Sequence, residues 1–205
     1  MKYKIFAILS LFLIPSWLFA GVDNTLVKNA ETYLNSITGL SGEFIQIVGK
    51  KNDNGNFSML RPGRVRLDYN TMPVQLISNG DDLFFYDKSL DQITTIPLTA
   101  TPAGILVRKK INLTGSDIVV SETSSAKDAF SLDMHIKGQE GMGHMRVDFQ
   151  KDPIKLKSWV VYDATGIETN VNFTKLKTKT DFPRGYFQLQ KMKSTSNSGG
   201  DKFYE

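Results

Sequence analysis

The chain has 205 residues, no cysteine and a formal net charge of +4. Lys2 and Lys4 lie in a segment that reads as removable, and without them +4 becomes +2, which is not the footprint of a nucleic-acid binder. With no disulfide available, an exported protein of this kind must rest on its core alone.

Residues 1–20 read as a secretory signal, with Lys2 and Lys4 as the positive start and Ile5 to Phe19 as the apolar middle. Leu18-Phe19-Ala20 is an imperfect cleavage site, because a small residue is preferred where Leu18 stands. A retained anchor is the alternative. The uncharged run from Ile5 to Val22 has 18 residues, short of the roughly 20 that a spanning helix needs, and Pro15 interrupts it. Cleavage after Ala20 and export are therefore expected. The remaining 185 residues suffice for one domain with a substantial core. That domain is expected over 21–193, and the polar, Gly/Ser-rich tail 194–205 is expected to be disordered.

From Asp23 to Ile37, the residues Leu26, Val27, Ala30, Leu34 and Ile37 recur at helical spacing and make one apolar stripe. Asp23 or Asn24 caps its start and Gly39 stops it. After Gly42 the period changes to two, with Phe44, Gln46 and Val48 alternating with Ile45 and Ile47, and a polar loop from Lys50 to Asn56 follows. Strand-like runs then recur at 56–60, 64–69, 74–78, 83–86 and 92–96. The stretch 101–110 breaks the pattern, and Pro102 suits the first turn of a short helix. Further runs follow at 117–121, 129–136, 142–150, 154–162 and 167–175, with a last one near 186–190. About eleven antiparallel strands with two helices predict a mainly β chain, folded as a strongly curved sheet or barrel.

Two hairpins can be read residue by residue. Asn79-Gly80 between β-rich runs predicts a type I′ turn, which puts Ser78 opposite Asp81, Leu76 opposite Leu83 and Val74 opposite Phe85. About the loop Gly138-Gln139-Glu140-Gly141, Met134 faces Met145, Leu132 faces Val147 and Phe130 faces Phe149. The other face pairs Asp133 with Arg146 and His135 with His144, so the sheet has one dry side and one wet side.

The two histidines supply at most two ligands where zinc wants three or four, and Asp133 is already matched to Arg146. They read as part of a solvated face, and no metal is expected. The carboxylates are scattered, and no G-x-S-x-G, H-E-x-x-H or P-loop occurs. No enzyme and no cofactor is expected. Arg64 and Arg66 read as solvated residues on a polar strand face. Leu34, Leu67, Phe85, Ile105, Leu106, Met134, Met145 and Trp159 read singly as core. Together, on a curved sheet covered only by two short helices, they read as the lining of an apolar cavity. Flexible Met side chains suit a ligand of variable shape.

The stretch Arg61 to Asp87, RPGRVRLDYNTMPVQLISNGDDLFFYD, resembles the outer-membrane lipoprotein carrier family, LolA. That family has Arg-Pro, a short extended run, an Asp/Asn-Gly turn and Leu-Trp-Phe-Tyr, which stands here as Leu83-Phe84-Phe85-Tyr86. Thr101-Pro102-Ala103-Gly104-Ile105-Leu106-Val107-Arg108 sits where the family has a Thr-Pro opening a short lid helix. The resemblance implies an incompletely closed antiparallel β-barrel with a helical lid over an apolar cavity. In it Leu34 matches a lid-helix leucine, Ile105 and Leu106 the apolar residues of the second lid helix, and Arg61 the arginine that latches the lid. Val65 and Leu67 replace family aromatics, and Ala103-Gly104 replaces larger residues.

The resemblance also implies a periplasmic monomer that binds the acyl chains of lipoproteins. It would take them from an inner-membrane ATP-driven lipoprotein-releasing transporter and pass them to the outer-membrane lipoprotein receptor. That receptor, LolB, is itself a lipoprotein and needs a cysteine at its cleavage site. This chain has none and is therefore more like the soluble carrier. A periplasmic lipid- or envelope-sensing domain on the same fold stays open as an alternative, because fold does not fix function.

Overall fold

The computed structural model describes residues 21–189, so the expected signal segment and the tail from 194 onwards lie outside the described residues. Helix α1 (Asn24–Ser36) opens the fold and is followed by β1 (Gly39–Val48), β2 (Lys51–Leu60), β3 (Arg64–Tyr69), β4 (Val74–Asn79), β5 (Asp82–Asp87) and β6 (Gln92–Pro97). A crossover with short 3-10 helices at Leu98–Ala100 and Pro102–Val107 leads to β7 (Ile118–Ser125) and β8 (Ala129–Ile136). After a 3-10 turn at Glu140–Met142 come β9 (His144–Gln150), β10 (Lys155–Tyr162) and β11 (Glu168–Thr178).

All eleven strands form one antiparallel sheet in the order β6-β5-β4-β3-β2-β1-β11-β10-β9-β8-β7. Two meanders, β1 to β6 and β7 to β11, are thus sewn together where β1 pairs with β11. β6 and β7 remain as free edges, so the sheet does not close. The crossover must carry the chain from one edge to the other, and it spans the open side together with α1. The expected half-open antiparallel barrel of about eleven strands is the fold observed.

Helix α1 forms where its apolar stripe dictates, with Val27, Ala30 and Leu34 buried. Asp23 Oδ1 caps it, accepting from the amides of Thr25 at 2.8 Å and Leu26 at 3.3 Å. It ends at Ser36, where Ile37 turns extended, and Gly39 already belongs to β1 rather than stopping the helix.

The β8–β9 ladder matches the register expected of it: Phe130↔Phe149, Leu132↔Val147, Asp133↔Arg146 and Met134↔Met145. Arg146 Nε donates to Asp133 Oδ2 at 3.0 Å. The expected His135–His144 pair does not form, since the ladder's last pair is Met134↔Met145 and the 3-10 turn then intervenes. His144 stacks on Tyr162 instead, at 4.4 Å between ring centroids, and His135 Nε2 lies 3.7 Å from Glu140.

The β4–β5 hairpin is slipped by two residues from its expected register. Ser78 faces Leu83, Leu76 faces Phe85 and Val74 faces Asp87. The turn centres on Gly80-Asp81 rather than Asn79-Gly80, with a positive φ of 129° at Gly80 and none at Asp81. Asn79 Oδ1 accepts from the amides of Asp81 and Asp82, and that local side-chain turn outcompetes the I′ geometry. A slip of two leaves every side chain on its face, so Leu76, Leu83 and Phe85 still look the same way. The loop expected from Lys50 to Asn56 is almost wholly strand. β1 pairs with β2 from Val48↔Lys51 onwards, and pairing partners override the low strand preference of Asn and Asp.

Between sheet and cover lies one apolar core, in which Phe57 packs edge-on against Trp159 at 5.6 Å and Phe130 stacks on Phe149 at 4.9 Å. The outer face carries a smaller packing of its own. Where a last strand is expected near 186–190, the described residues form a pair of turns instead, closed by Tyr186 N to Pro183 O and Gln188 N to Gly185 O. Arg66, expected to be solvated, holds it. Its Nη1 donates to Tyr186 O at 2.8 Å and its guanidinium lies 4.7 Å over the Tyr186 ring, while Asp68 pairs with Nε at 2.6 Å.

Arg66→Ala should free the segment 179–187, so that trypsin cuts at Lys179 or Arg184 before the sheet unfolds; unchanged resistance would mean the ring packing alone holds it. At Gly63, where φ is +70°, an added Cβ would lie 2.5 Å from Gly80 Cα. Gly63→Ala should therefore cost about 1–3 kcal/mol in urea unfolding. At Gly141 an added Cβ meets nothing within 4 Å, and Gly141→Ala should change stability by less than about 0.5 kcal/mol.

Candidate functional site

Arg61 ends the run from β2 and is turned inward, only 8% exposed. Its Nε donates to Leu106 O at 3.0 Å and its Nη1 to Leu34 O at 2.5 Å. Leu34 lies in the last turn of α1 and Leu106 in the 3-10 helix Pro102–Val107, so one guanidinium fastens both elements that cover the sheet. The carbonyl end of a helix is its negative pole, which suits a cation there. Among the described residues no carboxylate pairs with Arg61, and its Nη2 is buried without a partner. Burial pushes the guanidinium down to about 10, still well above neutral, so it stays charged.

Further bonds reinforce this junction, and sequence reasoning missed them. Asn35 and the backbone of Ile111 bond reciprocally, Nδ2 to O at 2.8 Å and N to Oδ1 at 2.9 Å. Glu31 Oε2 accepts from Leu113 N at 2.6 Å, and Gly63 N donates to Val107 O at 2.7 Å. The available signal was that Glu31 and Asn35 sit four apart, and so neighbour each other, beside the apolar stripe of α1.

Of the eight residues expected to line a cavity, Leu34, Leu67, Ile105, Leu106, Met134, Met145 and Trp159 are buried in the single core cluster. Phe85 stands outside it, 41% exposed. The space expected between sheet and cover is filled by the protein's own side chains. Ile105, Met134 and Met145 are all fully buried. Gly104, where the family has larger residues, is explained by backbone crowding, because a Cβ there would lie 2.2 Å from Leu98 O.

Open grooves lie elsewhere. One of about 230 Å³ runs beside the crossover, lined by Pro62, Gly63, Gly80, Val107, Arg108 and Ile136 among others. Another of about 700 Å³ is lined largely by polar residues of β8 to β11, including Ser131, Asp148, Ser158, Asn172 and Lys157. On the inward side, the arrangement is an apolar interior in which one guanidinium bonds both covering elements.

The model of the outer membrane lipoprotein carrier protein LolA matches residues 35–190 of the chain. The outer-membrane lipoprotein carrier protein of Methylococcus capsulatus is 26% identical over 186 residues, covering 84% of this chain and 88% of that protein. Its namesake in Methylobacillus flagellatus is 24% identical over 178 residues, covering 80% and 83%. Among solved structures, a DUF1329 family protein from Desulfovibrio piger superposes with a TM-score of 0.50 at 10% identity, over 80% of this chain and 95% of that one, a likeness of fold alone. Matched by the family model across most of its length, the chain belongs to the outer-membrane lipoprotein carrier protein family, LolA.

Proposed function

We propose that this protein is a periplasmic carrier that takes up the acyl chains of lipoproteins in its apolar interior and ferries them from the inner to the outer membrane. An ATP-driven transporter in the inner membrane would load it, and a receptor on the outer membrane would unload it. The observation that supports this reading most is Arg61, a buried charge that bonds nothing but the main-chain carbonyls of the two covering elements. A core arginine kept for stability alone would be expected to have a carboxylate partner, because an unpaired buried charge is strongly disfavoured.

The physical need is plain. Each buried methylene is worth about 0.8 kcal/mol, so a long acyl chain gains on the order of 10 kcal/mol on leaving water. Crossing an aqueous compartment unaided is prohibitively slow. The carrier must supply a comparable apolar surface and still let go. A cover that is stable when shut provides the offset, since its contacts are broken on loading and re-formed on release.

The decisive experiment is transfer. Incubated with membranes that carry a transporter and an acylated lipoprotein, the protein should release the lipoprotein into a soluble complex; retention of all cargo on the membrane would refute the carrier reading. Arg61→Leu should shift the population toward the open form. One charge-assisted bond is worth about 1.5–3 kcal/mol, so occupancy should change tenfold or more. The variant should load at least as well as the wild type and release its cargo more slowly. Impaired loading with normal release would mean that Arg61 does not latch the cover.

Leu106→Glu places a carboxylate where the native side chain is 2% exposed. It should abolish acyl binding while the far-ultraviolet signature of the sheet persists. Outright unfolding would make Leu106 ordinary core.

A further inference from the structure

When the cover lifts, Arg61 loses the partners that make its burial tolerable. Leu34 O and Leu106 O belong to different covering elements, so the guanidinium cannot keep both once those elements separate. Its Nη2 lacks an acceptor even with the cover shut, although the residue is more than nine-tenths buried. A guanidinium has five N–H donors and no acceptor. The side chains of Leu34, Ile105, Leu106 and Val107 offer nothing to receive them, and among the described residues no carboxylate pairs with Arg61. The position cannot shed its charge at neutral pH either, because its pKa stays at about 10. Opening therefore creates a demand for oxygen acceptors at one fixed point inside an apolar chamber.

Acyl chains are hydrocarbon except where they join the rest of their molecule, and there each carries a carbonyl oxygen. We infer that Arg61 exchanges acceptors on loading: its guanidinium leaves the main-chain carbonyls of Leu34 and Leu106 and donates to the ester carbonyl oxygens of the acylated cargo. Arg61 then fixes how deep the chains sit and reads the linkage at their head, which hydrocarbon contact alone cannot do. This inference rests on the carrier reading above and specifies the chemistry of the ligand in that same site.

The test compares a diacylglyceryl-cysteine peptide with its dialkyl-ether analogue of the same chain length, each displacing an apolar fluorescent dye from the folded protein. The wild type should bind the ester about tenfold more tightly, the worth of one charge-assisted hydrogen bond. Arg61→Leu should bind both compounds with equal affinity, and Arg61→Lys, which keeps the charge, should retain part of the preference. Equal affinities in the wild type would overturn the exchange and leave the carrier reading standing, as would a preference that survives Arg61→Leu. Displacement by neither compound would refute the carrier reading and the exchange together. If Arg61→Leu does not fold, the isotope-labelled ester carbonyl bound to wild type provides the second readout. Its infrared band should move to lower frequency than in hydrocarbon solvent, and an unshifted band would overturn the exchange.

Discussion

A permanently charged side chain, buried without a counterion among the described residues, is the constraint around which this structure is arranged. Arg61 can occupy its site only because helix-end carbonyls converge there, from Leu34 at the end of α1 and Leu106 in the crossover. Leu34 O already accepts from Ile37 N at 3.3 Å and takes Arg61 as a second donor, whereas the last turn of a helix commonly leaves such acceptors unsatisfied. Nη2 stays unpartnered, so the bonding at this point is not saturated.

The topology makes such a latch possible. Because the two meanders meet at β1 and β11, the strands left at the edges are β6 and β7, and the connection between them must bridge the open side. A closed barrel would have no such connection to lift. The bridge is built from 3-10 turns rather than a long α-helix, and such helices have poorer hydrogen-bond geometry and run short. Its hold on the sheet comes from Ile105, Leu106 and Val107, together with Arg61 and the bonds of Glu31 and Asn35 to the residues that follow it.

Much of this was legible in the sequence because it rests on period and chirality. Alternation gave β8 and β9 their faces, and the pairing Met134↔Met145 with Asp133↔Arg146 leaves one register that makes one face wholly apolar and the other polar. Where two registers differ by two residues the faces are identical, and only turn chemistry decides between them. In the β4–β5 hairpin the Asn79 side chain made that choice, which a dipeptide rule cannot see. The Lys51–Asn54 part of β2 was unreadable for another reason, since polar residues become strand there only because β1 lies alongside. At the site, Arg61 was identifiable only through the resemblance, and the roles of Glu31, Asn35 and Arg66 depend on backbone groups far away in sequence, which periodicity does not encode. The open chamber expected from the apolar residues is, with the cover shut, occupied by those residues themselves.

That last point bears on how a carrier of this design could exchange cargo at all. If the interior were an empty apolar hole, it would have lost the dispersion contacts of its lining before any ligand arrived. Filled by Ile105, Leu106 and their neighbours, it pays no such penalty, and on the carrier reading proposed above entering acyl chains would take the place of those side chains. Apolar area buried by the protein's own side chains is then replaced by apolar area buried by cargo, so the hydrophobic contribution largely cancels between the two forms. What would not cancel is polar and localised, namely the bonds that tie α1 to Ile111 and Leu113, and at Arg61 the difference between two carbonyl acceptors of the chain and those of a cargo. A ligand worth on the order of 10 kcal/mol per chain in transfer from water can in this way be governed by a few hydrogen bonds, each a fraction of that size.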